Sequence, residues 1–120
     1  MQRNIVLGAN GKPTGGKWTF DADNRMKFPK KEIVPAIDLP EVSSYIAEAI
    51  KYVQRYFPQN YGNTDAPYFF VATFKEAEEW LSDFLKKRFD KFGIYEDAIV
   101  ADENILHHSV LSPMLNTGLL

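Results

Sequence analysis

At 120 residues the chain has room for one domain with a modest core, and its 45% hydrophobic and 25% charged content is ordinary for a soluble globular domain. A net charge of −2 gives no global attraction to nucleic acid, and the absence of cysteine excludes disulfides, thiolate metal sites and iron–sulfur ligation within these residues. No apolar run reaches membrane-spanning length and no signal-like segment opens the chain, so no membrane partner and a cytoplasmic location are expected.

Residues 1 to about 37 read as irregular. Gly8, Gly11, Gly15, Gly16, Pro13, Pro29 and Pro35 lie too close together for a long helix or a central strand. Within this arm, Trp18 and Phe20 alternate, which predicts that both point one way and anchor the segment on a surface. Asp21, Asp23 and Asn24 are turn formers suited to satisfying nearby amides and holding Arg25. A calcium loop is the sharper alternative, but its ligand spacing and closing glutamate are missing. Lys27, Lys30 and Lys31 read as solvated surface.

A first helix is expected after Asp38, with Asp38 as N-cap, Pro40 in the first turn and Glu41 completing a capping-box-like start. Val42, Tyr45, Ile46, Ala49, Ile50, Val53 and Phe57 then recur at helical spacing, a stripe for a core or a partner, and Pro58 stops it. The connection that follows holds a turn at Tyr61-Gly62-Asn63 and a possible short strand at Tyr68 to Val71. It is too long for the tight turn of a helix-turn-helix DNA reader. A second helix opens on the capping box Thr73 to Glu76. Phe74, Ala77, Leu81, Phe84, Leu85, Phe89 and Phe92 make its inner side, and Gly93 ends it. Early Glu76, Glu78, Glu79 and Asp83 and late Lys86, Lys87, Arg88 and Lys91 complement the helix dipole, so the carboxylates are not an acid–base pair.

The closing stretch is punctuated most sharply. Ser112-Pro113 reads as a helix start and Gly118 as its stop. The plain reading is a short capped helix. The sharper one is an anion site, in which free amides, the positive dipole end and the hydroxyls of Ser109 and Ser112 receive a group such as a pyrophosphate. His107 and His108 sit beside the acidic Glu96, Asp97, Asp102 and Glu103, but adjacent histidines point apart in regular structure, so a shared metal is not expected. No nucleophile–base set can be assembled, and no catalytic residue is assigned.

Two segments together carry a family resemblance. The run Gly15 to Arg25 (Gly-Gly-Lys-Trp-Thr-Phe-Asp-Ala-Asp-Asn-Arg) and the run His108 to Pro113 (His-Ser-Val-Leu-Ser-Pro) resemble the photolyase-related branch of the cryptochrome/photolyase family. The chain looks most like its prokaryotic iron–sulfur members, which repair (6-4) photoproducts. Arg55 to Pro58 and Ala77 to Phe92 also follow that pattern. The late run is similar to a wider family motif, Thr-Ser-x-Leu-Ser-Pro, with His108 in place of the threonine.

The resemblance implies a mainly α fold: two amphipathic helices plus a short C-terminal helix, preceded by a long irregular Gly/Pro-rich arm. It implies that residues 1–38 are interdomain linker and residues 39–120 the N-terminal helical part of an FAD-binding domain. The cofactor would be FAD, bound through His108, Ser109, Leu111 and Ser112 at its phosphates and ribityl chain, with Tyr95 or Phe92 framing the flavin. The iron–sulfur cluster and antenna chromophore would belong to parts of the parent protein outside these residues. Partners would be the remaining domains of the parent photolyase, and UV-damaged DNA for the parent only. The 120 residues alone are expected neither to hold FAD stoichiometrically nor to repair DNA, and self-association through uncovered aromatic stripes is expected. Rival readings are a free-standing helical interaction module, a cryptochrome-like photosensor without repair activity, and a small oligomeric flavin- or nucleotide-binding protein.

Overall fold

The computed structural model describes residues 6–65 and 68–120. The first five residues of the expected linker and positions 66–67 of the inter-helix connection lie outside the described residues. The fold is helical, with no strand among the described residues: α1 Ser44–Tyr56, α2 Phe74–Lys87, α3 Phe89–Phe92 and α4 Ser112–Thr117. The segment Tyr68 to Val71 is therefore irregular, not a strand. No helix among the described residues is long and apolar enough to cross a membrane.

α1 begins later than its sequence suggests. Ser43, not Asp38, is the N-cap, its hydroxyl accepting from the Ile46 amide. Asp38 is instead held by Lys87 at 3.2 Å, a partner 49 residues away. Ser43 and its bond to the Ile46 amide set the start instead, and the Asp38–Lys87 pair is a surface one, with the Asp38 side chain 90% exposed. The end is as expected, with the chain leaving the helix at Phe57 before Pro58. Of the apolar stripe only Ile46 is buried; Val42, Tyr45, Val53 and Phe57 are exposed.

α2 carries the core. Its capping box is complete, with the Thr73 hydroxyl accepting from the Glu76 amide and the Glu76 carboxylate accepting from the Thr73 amide. The Thr73 hydroxyl also donates to that carboxylate at 2.8 Å, and this bond foremost, with the Ala72 amide, holds the Glu76 carboxyl below its ordinary range. Ala77 and Trp80 pack with Val71, Ile105 and Met114, and Ile37, Val110 and Leu111 close around them. A second cluster joins Tyr95, Ala98 and Leu106 to Phe28 and Val34 of the arm. Three expected inner residues lie elsewhere, since Phe74, Leu85 and Phe89 are exposed. The helix breaks at Arg88 rather than at Gly93, and the single turn α3 carries the chain on to Gly93.

In the arm, Arg25 is held as expected, its guanidinium donating to both carboxylate oxygens of Asp21 at 3.0 and 2.8 Å. The expected aromatic anchor is not formed. Trp18 is 78% exposed, and Phe20 folds back over Gly15 with the Lys17 ammonium 4.7 Å from its ring centre. A Cβ at Gly15 would lie 2.4 Å from the tip of the Phe20 ring, so the half-exposed ring would have to swing aside. Lys27, Lys30 and Lys31 are exposed, as their reading as solvated surface expects.

Candidate functional site

The two segments quoted for the family resemblance meet at one residue. The Asn24 amide donates to the Glu96 carboxylate at 2.8 Å, and the Glu96 carbonyl lies 2.8 Å from Nε2 of His108. A second tie, from the Met26 amide to the Ile94 carbonyl at 3.1 Å, lays the arm along the same loop. Segments separated by more than 70 residues thus share one support.

The adjacent histidines point apart, for different purposes. His107 is buried between the rings of Tyr95 and Phe28, at 5.6 and 5.9 Å, and neither of its nitrogens has a hydrogen-bond partner. Burial holds it below the usual histidine range, while the backbone of Arg88 works the other way. His108 turns to the backbone, with Nδ1 2.7 Å from the Ile105 carbonyl and Nε2 facing Glu96. A carbonyl only accepts, so each of these contacts requires the facing ring nitrogen to carry the proton. In this conformation His108 braces the loop; an external oxygen would have to displace one of those contacts.

Beneath the motif, α2 supplies two donors. Nε1 of Trp80 donates to the Ser109 carbonyl at 2.8 Å, and Nη1 of Arg88 donates to the His108 carbonyl at 3.1 Å. Both side chains are buried, Trp80 at 5% and Arg88 at 1% exposure, and the guanidinium lies 5.4 Å from the Trp80 ring and 5.6 Å from that of Phe84. Sequence reasoning grouped Arg88 with the solvated late-helix cations, which the structure corrects, and it passed over Trp80 altogether. The available signal was spacing: Trp80, Phe84 and Arg88 recur every four residues and so lie on one face.

These two bonds decide where the motif's amides point. In a planar trans peptide the N–H lies opposite the C=O. Pinning the carbonyls of His108 and Ser109 to α2 therefore turns the amides of Ser109 and Val110 away from it. Val110 has a φ of 53°, left-handed for a β-branched residue, and Leu111 follows in the right-handed region at φ −87° and ψ −15°. Such a reversal of hand gathers successive N–H groups into a concavity suited to an anion, and backbone strain of this kind clusters at functional sites. The amides of Ser109, Val110, Leu111 and Ser112 donate to no backbone acceptor among the described residues.

α4 follows directly. Leu111, not Ser112, occupies the N-cap position, its carbonyl accepting from the Leu115 amide at 3.0 Å, and no side chain caps the helix. Ser112 is thus the first helical residue and its hydroxyl is exposed to solvent. Gly118 ends the helix as expected, at φ 75°, with Leu119 donating to Met114 at 2.8 Å and Gly118 to Leu115 at 3.3 Å in a Schellman pair. Ser109 and Leu111 are half-buried beside Ser112, so these three residues and the free amides share one short loop. Tyr95 stands apart, buried with its ring against Phe28 and His107; Phe92 lies nearer, its ring 6.5 Å from that of His108.

One broad cleft, about 540 Å³, runs between α2 and residues 38–41. Asp38, Glu41, Glu76, Glu79 and Asp83 line it against the single cation Lys75, a charge balance that repels phosphate. The amide loop at 109–112 is the better receptor for an anion.

Comparison with known proteins places the chain. A family profile described as "Deoxyribodipyrimidine photo-lyase-related protein" matches residues 1–69. A "(6-4) photolyase" of Agrobacterium fabrum is 36% identical over 121 residues, an alignment covering 100% of this chain. The chain spans only 24% of that relative's length.

Proposed function

The chain belongs to the deoxyribodipyrimidine photo-lyase-related family, and on that premise we propose that it forms one wall of the FAD site of a longer light-driven DNA-repair flavoprotein. In this reading residues 1–38 are the linker between domains and residues 39–120 open the helical flavin domain. UV-damaged DNA and the remaining domains are partners of the longer protein.

The observation that carries the reading is the loop at 109–112. Its amides are free, its strained turn is left-handed at Val110, and the Ser109 and Ser112 hydroxyls stand beside them without a partner among the described residues. A diphosphate asks for that donor set: several convergent N–H and O–H groups and no carboxylate. The residues present therefore fit the phosphate portion of FAD. Ser109 and Ser112 would donate to phosphate oxygens, the amides of Ser109 to Leu111 would complete the shell, and Leu111 would cover one side from water.

When bound and reduced, FAD supplies the photoexcited electron that the repair of a pyrimidine lesion needs. This chain's own part is to bind and orient. Its loop fixes the phosphates, and through them the position of the ring. A wall of amides and hydroxyls does not by itself enclose an isoalloxazine, which needs a largely apolar pocket around it.

The test is made in the longer protein. Replacing Ser109 and Ser112 by alanine together should weaken FAD binding by about a hundredfold or more, each lost hydrogen bond to a charged group contributing about 1.5 kcal/mol or more. Flavin retention on dialysis measures it. Unchanged retention in the double variant would place the phosphates elsewhere.

A further inference from the structure

Trp80 and Arg88 do more under the motif than fill space. An indole N–H and a guanidinium reach carbonyls 29 and 20 residues further along the chain, and those two carbonyls are consecutive. A buried cation is costly to keep for packing alone, because an apolar residue of similar volume serves as well or better. Here the guanidinium is only partly matched. Asp83 lies 3.5 Å from Nη2 and is shared with Lys87 at 2.6 Å, while Nε and Nη2 make no hydrogen bond. Its one hydrogen bond goes to the peptide whose N–H is the Ser109 amide.

We infer that Trp80 and Arg88 are the positioning residues of the 109–112 loop, a two-point clamp that aims the Ser109 and Val110 amides at an anion. Resting on the flavin-phosphate reading, this adds to it the residues that shape the receptor. The clamp does two things. Trp80 holds the Ser109 carbonyl down, which keeps Val110 in its strained left-handed conformation. Arg88 polarises the His108–Ser109 peptide through its carbonyl, so that the N–H at the other end is a stronger donor to a negative group. Neither side chain touches the anion.

The experiment uses the longer protein stripped of flavin, titrated calorimetrically with FAD and separately with riboflavin, which lacks the phosphates. Trp80→Phe keeps the ring and deletes the N–H; Arg88→Met keeps the length and deletes the charge. Each variant should lose about three- to tenfold in FAD affinity, with riboflavin affinity unchanged. Arg88→Lys, which keeps the charge and one donor, should recover most of the loss and serves if Trp80→Phe does not fold. A parallel fall for FAD and riboflavin would mean a purely structural role and overturn the inference, as would FAD affinity unchanged in both variants. A wild-type protein that binds no FAD would instead remove the flavin reading and this inference with it.

Discussion

His107 shows how much one side chain's surroundings govern. The chain carries two adjacent histidines, and sequence alone says that they point apart without saying which way each goes. The structure sends His107 into an aromatic pocket with no partner for either nitrogen, and burial there disfavours its charged form. The unfolded histidine takes up its proton near pH 6.5, while the folded one resists until lower pH. Stability linked to His107 is thus fully present above pH 6.5 and drains away as pH falls below it. His107→Phe should flatten the pH dependence of the urea midpoint below pH 6.5. A dependence in that window as steep as the wild type's would contradict the assignment. Glu76 acts from a lower starting point, its contribution present above pH 4.5 and lost as pH falls further.

At the scale of elements, local signals served where the partners were local. The Thr73–Glu76 capping box and the Gly118 stop were legible because each bond closes within a few residues. Removing the first by Thr73→Ala should cost about 1 kcal/mol, read as a lower urea midpoint at unchanged slope; no change would mean that α2 is set by packing alone. Signals whose partners lie far away were lost. Asp38 pairs with Lys87 and Arg88 with a carbonyl 20 residues on, partners that no local window contains. The loop at 109–112 was legible as a candidate anion receptor from its serines and proline. Its orientation was not, because that depends on donors from α2 and on the left-handed Val110, which no propensity favours.

The molecule as a whole exposes more than a self-contained domain does. Its accessible surface is 9936 Å², against about 6,600 Å² for a folded monomer of this mass, and its radius of gyration is 18.6 Å, against about 14 Å for a compact domain of this length. α1 accounts for much of this, burying only Ile46 while Tyr45 is 68% exposed. Aromatic faces left open on this scale belong against another surface, in keeping with a chain that spans 24% of its relative. The proposed wall of a cofactor site, supplied by part of a larger helical body, would account for both the open faces and the free amides. Flavin content tests this most directly. The longer protein, purified in dim light, should carry near-equimolar FAD, and the isolated 120 residues should carry none; near-equimolar flavin on the isolated chain, or a colourless longer protein, would contradict the account.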